Sequence, residues 1–355
     1  MEQRVKVLLT DELLAGIPAK TREWFPADEV EFVLAGTASD EELIRLVADV
    51  DVLMNMRRCI GRLLLEGGPR LCLVQQCGVG VEHIDLAAAD ALGVRVANAA
   101  GSGVIPVAEH AIMLMLALSR QVTRCDQSMR RGEWMQRELF GRIAELYGKT
   151  LGVVGFGRIG QRVAKIALHG FDMRVQYYDK CEINTSALGP GIRRVTLEEL
   201  LRTSDYVSLH CTLTEETRGL IGRRELAMMK PAAYLINTAR GAVVDEEALA
   251  EALRQGLIKG AGLDVFGSFN DGLAPASALS ALPNVVLTPH VATMTPENLD
   301  RTFYDIALRN VMAFVGGGEL RHQVNTPPLP RPLLRSSLAV RMVGAPAHFL
   351  DAHPR

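Results

Sequence analysis

The segment Leu151-Gly-Val-Val-Gly-Phe-Gly-Arg-Ile-Gly160 is the most informative part of the sequence. An apolar run is followed by glycines in the pattern GxGxxG, and a helical pattern begins near Arg158. Gly155 permits a tight turn, Gly157 lets the backbone approach a pyrophosphate, and Gly160 allows the helix to pack closely on the strand. Strand, glycine turn and helix in this order predict a dinucleotide-binding unit.

The acidic residue Asp179 predicts which dinucleotide is bound. It ends the next predicted strand, 19 residues after Gly160. A carboxylate at this place accepts hydrogen bonds from the ribose hydroxyls and repels a 2′-phosphate, so we expect NAD rather than NADP. Lys180 follows directly, and its positive charge opposes that preference. We expect the phosphates at the helix N-terminus, near Arg158 and Ile159, where unpaired N–H groups and the helix dipole favour anions.

Strands alternate with helices on both sides of this segment. Helices are predicted at residues 40–48, 85–92, 106–120 and 296–315. Strands are predicted at residues 5–10, 30–34, 52–54, 71–75, 94–96, 151–154, 175–178, 206–210, 233–236, 260–263 and 285–287. This alternation is typical of βαβ units, so we expect an α/β protein with doubly wound parallel sheets.

Composition excludes several classes of protein. The 355 residues suggest two domains, and 39 basic against 41 acidic residues give no basic surface for nucleic acid. No apolar run reaches the roughly 18 residues of a membrane span, and no export signal is evident at the N-terminus. The six cysteines include no CxxC pair. We therefore expect a cytoplasmic protein with reduced thiols, no zinc site and no membrane partner.

Three polar residues each follow an apolar strand of the predicted nucleotide-binding sheet: Arg240, Asp264 and His290. Because ligands of open α/β sheets bind at the carboxyl ends of the strands, we expect these side chains to converge. An arginine can bind a carboxylate with two hydrogen bonds and polarise a neighbouring carbonyl. A histidine can move the proton that accompanies hydride transfer. Taken singly, each of these residues could equally be an ordinary loop residue without a catalytic role. Their common position after strands of one sheet favours a catalytic role.

Ordered blocks of sequence over about residues 45–325 resemble a known family. They are residues 77–85, 107–110, 131–134, 145–152, 214–217 and 237–241, together with His210, Asp264 and Pro289-His290. In these blocks the chain resembles the D-isomer-specific 2-hydroxyacid dehydrogenases, which include phosphoglycerate, glyoxylate, lactate, formate and phosphite dehydrogenases. The resemblance implies an NAD-dependent oxidoreductase that acts on the CH–OH group of a small D-2-hydroxy acid or reduces the 2-keto acid.

The same resemblance implies two Rossmann-like domains, the smaller one discontinuous. Residues 1–101 with 292–325 would form the substrate domain, and residues 102–291 the NAD-binding domain. Residues 326–355 would form a tail that holds six prolines, four arginines and one acid. We expect this tail either to be loosely docked or to embrace a partner subunit.

The resemblance also assigns roles to individual residues. The anionic substrate's carboxylate would be bound by the backbone amides of Val79 and Gly80 and by Arg240. His290 would be the acid/base, and Asp264 would hydrogen-bond the carboxamide of the nicotinamide. A turn rich in N–H groups is a physically reasonable site for an anion.

Several further residues have an expected role, and for some of them an alternative is open. Thr238, in the arginine block, is expected to contact the cofactor. Arg57 or Arg58 would meet a second anionic group of the substrate, or both are simply solvated. Glu109 and His110 are expected to make helix-end or interdomain polar contacts. Family members dimerise through the coenzyme domain, which implies a homodimer built on residues 107–134.

One position departs from the family pattern. The family pairs its histidine with a glutamate, and this chain has Phe269 at that place. A shifted loop would bring Asn270 or Asp271 to the histidine instead, or His290 would work unassisted with a lower pKa, as in the formate branch. The third alternative is a protein that binds NAD(H) and partners without turnover. A formate- or phosphite-type dehydrogenase on the same fold also stays open.

Overall fold

The computed structural model describes residues 4–24, 30–267 and 278–333, and these form two compact units. Unit 1 takes the described residues up to Ser102 and those from Pro296 onward, and unit 2 takes Gly103–Thr295. The two predicted parallel sheets are confirmed, one in each unit.

Unit 1 contains a five-stranded parallel sheet in the order β2-β1-β3-β4-β5. Its strands are β1 (Val5–Leu9), β2 (Val30–Leu34), β3 (Val52–Asn55), β4 (Leu73–Gln76) and β5 (Arg95–Ala97). The helices between them are α1 (Ile17–Trp24), α2 (Asp40–Val47), α3 (Arg62–Gly67) and α4 (Leu86–Ala91). Successive residues of β1 enter opposite cores, since Val7 packs with Phe303 on one face and Leu8 with Leu43 on the other.

Unit 2 contains a seven-stranded parallel sheet in the order β12-β11-β10-β9-β6-β7-β8. Its strands are β6 (Thr150–Val154), β7 (Arg174–Tyr178), β8 (Ile192–Arg194), β9 (Tyr206–Leu209), β10 (Tyr234–Asn237), β11 (Gly260–Leu263) and β12 (Val285–Leu287). Its helices are α5 (Val104–Arg120), α6 (Val122–Arg130), α7 (Gln136–Leu139), α8 (Arg158–Phe171), α9 (Leu197–Thr203), α10 (Arg223–Met228) and α11 (Glu246–Arg254). The strand order reverses between β6 and β9, and ligands of such sheets bind at that point.

The long helix α5 is buried along most of its length. Ala111, Leu114, Met115 and Leu118 are all buried in one core with residues of α8 and β6. The helix ends where Gln121 takes a left-handed backbone with φ of 49°. Across the described ranges, no helix is long and apolar enough to span a bilayer.

The chain returns to unit 1 after residue 295. The predicted helix at residues 296–315 is present as α12 (Pro296–Asp300), a π-helical segment (Arg301–Leu308) and α13 (Arg309–Val315). Beyond it, Arg331 donates hydrogen bonds to the carbonyl oxygens of Gly68 (2.7 Å) and Leu71 (3.1 Å), so the start of the predicted tail docks on unit 1. Residues 334–355 of that tail lie outside the described residues.

Candidate active site

The glycine turn after β6 leaves room for a ligand at one position only. A Cβ on Gly155 would lie 2.5 Å from the backbone N of Cys211, and one on Gly160 would lie 2.3 Å from the carbonyl oxygen of Gly155. Gly155 also has a φ of +86°. A Cβ on Gly157 would meet no atom within 4 Å. Packing therefore requires two of the glycines, and the third faces open space where a backbone can approach a pyrophosphate.

Helix α8 begins at this turn with its first N–H groups available. Its N-cap is Gly157, which offers no side chain to cap them. Arg158 and Ile159 form the first turn, and the Arg158 side chain is exposed. An uncapped helix N-terminus of this kind binds phosphate groups.

The carboxylate of Asp179 lies beside the same turn. Its Oδ2 accepts a hydrogen bond of 2.7 Å from the N–H of Phe156, and its Oδ1 accepts one of 3.0 Å from Cys181. Lys180 forms an ion pair with Glu216, which offsets the positive charge that opposes NAD in the sequence. The turn therefore presents a fixed carboxylate next to a phosphate site, as NAD requires.

The loop after β10 is held by a buried asparagine. Asn237 donates from Nδ2 to the carbonyl oxygen of Arg240 (2.9 Å) and accepts from the N–H of Ala239 (3.0 Å). Arg240 is half-buried, and its Nη1 donates to the carbonyl oxygen of Ala239 at 2.8 Å. A Cβ on Gly241 would lie 1.9 Å from the carbonyl carbon of Phe266, so this loop packs directly on the segment after β11.

Asp264 is the best-connected polar residue of the site and is only 1% exposed. Its Oδ1 accepts hydrogen bonds from the Thr288 hydroxyl (2.5 Å) and the N–H of Val291 (3.0 Å), and its Oδ2 accepts from the N–H of Ala292 (3.0 Å). The Nε2 of His110 lies 3.4 Å from Oδ1. Burial raises the pKa of Asp264, but the hydrogen bonds outweigh it and hold that pKa below its usual value.

His290 lies within the loop that Asp264 holds. It is half-buried and has a φ of +55°, in the left-handed region that residues other than glycine rarely adopt. Its N–H donates to the carbonyl oxygen of Thr288 at 3.0 Å. Thr288 and Val291 lie on either side of His290 in the chain, and both donate hydrogen bonds to Asp264.

The structure thus places Arg240, Asp264 and His290 after β10, β11 and β12, three neighbouring strands of one sheet. The same unit holds the glycine turn and Asp179. Phe269, Asn270 and Asp271, on which the sequence left alternatives open, lie outside the described residues.

His110 makes a contact that its sequence does not predict. We expected a helix-end or interdomain contact, but its Nε2 lies 2.9 Å from the hydroxyl of Thr288, within unit 2. The two residues are 178 positions apart, so no local pattern could reveal the contact.

A buried threonine hydroxyl in unit 2 bears on whether NAD fits there. The hydroxyl of Thr238 is buried and has no hydrogen-bond partner within the described part of the chain. Together with the open space at Gly157 and the carboxylate of Asp179, it leaves polar groups for both ends of a dinucleotide. The residues present fit the cofactor.

In unit 1, the turn at residues 78–80 is held through two of its carbonyl groups. The carbonyl oxygen of Gly78 accepts from the N–H of Ala99 (2.9 Å), and that of Val79 accepts from the Nδ2 of Asn98 (2.8 Å). The N–H groups of Val79 and Gly80 have no hydrogen-bond partner among the described residues. The turn is therefore fixed through its carbonyls with its donors available to an anion.

The two candidate arginines of unit 1 differ in their surroundings. Arg58 donates to the carbonyl oxygens of Gly36 and Ala38 and lies 3.4 Å from the carboxylate of Asp40. Arg57 is exposed and has no hydrogen bond or ion pair within the described ranges. Arg57 is therefore the arginine that is available to a ligand.

Buried amides support the loop that holds these arginines. Asn55 is fully buried, and its Nδ2 donates to the carbonyl oxygen of Arg58 (3.0 Å) and to the Oε1 of Gln76 (2.9 Å). Its Oδ1 accepts from the hydroxyl of Thr10 at 2.8 Å. Thr10 follows β1 and Asn55 ends β3, and the strand order of this sheet reverses between these two strands.

Comparison with known proteins agrees with this geometry. The family model described as "D-isomer specific 2-hydroxyacid dehydrogenase, NAD binding domain" matches residues 112–292. Over 286 residues the chain is 40% identical to a glyoxylate reductase of Pyrococcus furiosus, covering 78% of this chain and 83% of that protein. Over 311 residues it is 37% identical to a D-3-phosphoglycerate dehydrogenase of Mycobacterium tuberculosis, covering 87% of this chain and 57% of that protein.

A solved structure leads to the same family. The D-lactate dehydrogenase of Aquifex aeolicus, complexed with NAD and lactic acid, matches with a TM-score of 0.77 and 31% identity over 90% of this chain and 99% of that one. The family match and this NAD-complexed relative identify an NAD-dependent oxidoreductase, in agreement with a sheet that carries Arg240, Asp264 and His290 after β10, β11 and β12. The chain belongs to the D-isomer-specific 2-hydroxyacid dehydrogenases, which exchange a hydride between nicotinamide and a 2-hydroxy acid or 2-keto acid.

Proposed function

We propose that Arg240 and His290 are the catalytic residues with which this dehydrogenase interconverts a small D-2-hydroxy acid and its 2-keto acid. The main support is the position of Asp264 between them. It is hydrogen-bonded to both sides of the His290 loop, while Gly241 presses the Arg240 loop against Phe266, two residues after Asp264. One buried carboxylate and one backbone contact thus hold the His290 loop and the Arg240 loop against the segment that follows β11.

NAD, when bound, accepts the hydride in oxidation, and NADH supplies it in reduction. The guanidinium of Arg240 binds the substrate carboxylate and polarises the keto oxygen. In reduction His290 donates a proton to that oxygen, and in oxidation it removes the proton from the hydroxyl. We assign Thr238 and Asp264 to the nicotinamide end of the cofactor.

The remaining assignments concern the rest of the cofactor and the substrate. We assign binding of the adenosine ribose to Asp179. We assign binding of the pyrophosphate to Gly155, Gly157, Gly160 and the N–H groups of Arg158 and Ile159. In unit 1 the N–H groups of Val79 and Gly80 bind an oxyanion of the substrate. Unit 2 is then the NAD-binding domain, expected at residues 102–291, and unit 1 the substrate domain, expected at residues 1–101 with 292–325.

Arg57 favours one class of acid. A glyoxylate-sized substrate has no second anionic group, whereas a phosphorylated or dicarboxylic keto acid has one. Arg57 is exposed and has no partner among the described residues, which suits such a group because a guanidinium binds phosphate and carboxylate with paired hydrogen bonds. We therefore favour a substrate with a distal phosphate or carboxylate.

A panel of keto acids tests the proposal. NADH consumption is measured with glyoxylate, pyruvate, hydroxypyruvate and its phosphate, for the wild type and Arg240→Ala. We expect turnover on at least one acid and a loss of about a hundredfold to a thousandfold in kcat for the variant. The affinity for NADH should stay unchanged. Arg254→Ala, which removes an exposed arginine paired with Glu251, is the matched control.

Two outcomes would contradict this assignment. Unchanged turnover in Arg240→Ala would remove that residue from the mechanism. Tight NADH binding with no turnover on any acid would favour a protein that senses NAD(H), the alternative suggested by Phe269.

We further propose a homodimer formed through unit 2. Large apolar side chains are exposed along α5, α6 and the segment after them, including Met113 (40%), Val122 (51%), Met129 (55%) and Trp134 (73%). Apolar surface of this kind is typical of an interface. Sedimentation velocity should show a dimer that Trp134→Asp dissociates. Leu63→Asp, at a side chain of unit 1 that is 72% exposed, should not.

The cysteines bear on localisation. All six are free thiols, and Cys59 and Cys181 are exposed. Free exposed thiols are typical of a reducing compartment, so we propose the cytoplasm.

A further inference from the structure

The loop 288–292 is fastened to Asp264 on both sides of His290. On the N-terminal side, the hydroxyl of Thr288 donates a hydrogen bond of 2.5 Å to Oδ1. On the C-terminal side, the N–H groups of Val291 and Ala292 each donate one of 3.0 Å. The carboxylate is 1% exposed, so these bonds are shielded from water.

The direction of the bond between His110 and Thr288 follows from counting hydrogens. A threonine hydroxyl has one hydrogen, and Thr288 gives it to Asp264. Toward His110, whose Nε2 lies 2.9 Å away, the hydroxyl can therefore only accept. The Nε2 of His110 must therefore carry a hydrogen. The same nitrogen lies 3.4 Å from the Oδ1 of Asp264. Helix α5 is thus linked to the loop by a hydrogen bond in which His110 is the donor and Thr288 the acceptor.

The backbone of His290 explains why the loop requires such support. A left-handed conformation with φ of +55° costs free energy in any residue with a Cβ. It persists only where the surrounding contacts determine it. Here Thr288, two residues before, and Val291, one residue after, are both bonded to the same carboxylate. If the N-terminal bond is lost, His290 can relax toward an ordinary conformation and its imidazole will move.

We propose that Thr288 and His110 are positioning residues for the acid/base histidine. His110, on α5, donates a hydrogen bond to the hydroxyl of Thr288, and that hydroxyl donates to Asp264. These bonds hold the loop so that His290 keeps its left-handed conformation. The inference rests on the proposed function, because it affects turnover only where His290 moves the proton. Neither positioning residue needs to touch the substrate.

A pair of substitutions at one position separates positioning from packing. Thr288→Val keeps the shape of the side chain and removes the hydroxyl, whereas Thr288→Ser keeps the hydroxyl. We expect Thr288→Val to lower kcat by about tenfold to a hundredfold, the size of effect that a displaced catalytic group produces. Thr288→Ser should restore most of it. The dissociation constant of NADH, measured by fluorescence, should change little in either variant.

Hydrogen–deuterium exchange gives a second measurement that does not depend on turnover. The amides of Val291 and Ala292 donate hydrogen bonds to Asp264, so we expect them to exchange slowly in the wild type. Exchange of a peptide that covers residues 286–294 should be faster in Thr288→Val and close to wild type in Thr288→Ser. The control is Thr196→Val, which removes a hydroxyl that caps α9 by accepting from the N–H of Glu199 at 3.1 Å. It should lower Tm without changing kcat or this peptide.

A variant pair at the other end of the network covers the case in which Thr288→Val fails to fold. His110→Gln keeps an N–H donor, and His110→Phe keeps a ring without one. The phenylalanine variant should behave as Thr288→Val does, and the glutamine variant should stay near wild type.

Two results would overturn the inference. One is a folded Thr288→Val enzyme with wild-type kcat and wild-type exchange at residues 286–294. The other is equal loss of kcat in His110→Gln and His110→Phe. His290→Ala keeps the two proposals distinct, since its full activity would reject the acid/base role itself. Loss of activity in His290→Ala with no effect of Thr288→Val would reject the positioning role alone.

Discussion

The backbone N–H of Phe156 donates a hydrogen bond of 2.7 Å to the Oδ2 of Asp179. This bond joins the carboxylate at the end of β7 to the glycine turn after β6. The charge to which we assign the choice of cofactor is therefore held by the same turn to which we assign its pyrophosphate. The second oxygen is held as well, since Oδ1 accepts from the N–H of Cys181 at 3.0 Å.

Asp179→Asn should weaken the preference for NADH over NADPH. The amide keeps the size of the side chain and an acceptor oxygen, but it removes the negative charge that repels a 2′-phosphate. We expect the ratio of the two dissociation constants to shift by about tenfold or more, which corresponds to about 1.4 kcal/mol. Fluorescence titration of each reduced cofactor measures it.

A matched control lies at the end of α8. Asp172 is its C-cap, with φ of 49°, and asparagine also tolerates that conformation. Asp172→Asn removes the same charge and should leave the ratio unchanged. An equal shift in both variants would show that net charge, and not the position of Asp179, sets the preference.

Gly241 and Gly157 should respond to alanine in opposite ways. At Gly241 the new Cβ would lie 1.9 Å from the carbonyl carbon of Phe266, so backbone must move. We expect Gly241→Ala to lower the free energy of unfolding by about 1–3 kcal/mol or more, as overpacking does, and to lower kcat. A Cβ on Gly157 meets no atom within 4 Å and its φ is −70°, so Gly157→Ala should fold normally.

The second variant tests the cofactor site rather than the fold. Since the space at Gly157 is assigned to the pyrophosphate, its alanine variant should bind NADH more weakly at unchanged Tm. Thermal unfolding and NADH titration of the two variants measure both effects. If Gly157→Ala binds NADH as the wild type does, the pyrophosphate does not lie over that residue.

Local patterns were enough to predict the sheets and the cofactor turn. The glycines, the apolar runs and Asp179 lie within short segments whose periodicity indicates strand, turn and helix. The position of Arg240, Asp264 and His290 after neighbouring strands also followed from those runs. What could not be predicted locally was β8, Ile192–Arg194, because it has three residues of which two are exposed arginines. Among the described strands it pairs with β7 alone, at the edge of the sheet.

Contacts between distant parts of the chain were beyond sequence reasoning. Asp264 was expected to contact the cofactor, and its bonds to Thr288, Val291 and Ala292 depend on the pairing of β11 with β12. His110 reaches the same cluster from a helix that precedes the sheet in the chain. The difference between Arg57 and Arg58 likewise required the carbonyls after β2, which no pattern around residue 57 reveals.

Arg57→Ala and Arg58→Ala should separate substrate binding from stability. Arg57 has no partner within the described ranges, so its removal should leave Tm unchanged and raise KM about tenfold or more for a keto acid with a distal phosphate. KM for glyoxylate should not change. Arg58→Ala removes hydrogen bonds to the carbonyls of Gly36 and Ala38 and should lower Tm. Equal KM effects of Arg57→Ala on both acids would reject a second anionic group as its ligand.

His210 should make the stability of the protein depend on pH. Its imidazole follows β9, its Nε2 lies 2.8 Å from the Ser208 hydroxyl, and its Nδ1 is buried without a partner in the described structure. Burial lowers the pKa of His210 from 6.5 to about 3. Above pH 6.5 the imidazole is neutral in both folded and unfolded chains, so it has no effect. Between that pH and about 3, only the unfolded chain binds the proton, and stability falls as the pH falls.

The expected slope is about 1.4 kcal/mol per pH unit within this window. His210→Asn removes the titrating group and should remove that slope from the free energy of unfolding, measured by urea denaturation of the cofactor-free protein. His169→Asn removes an exposed imidazole from α8 and should keep the wild-type profile. Asp264, whose pKa in the folded protein lies below its usual value of 3.8, adds a further loss of stability as the pH falls below about 3.8, at the acidic end of this window. An unchanged profile in His210→Asn would mean that the buried imidazole accepts its proton without unfolding.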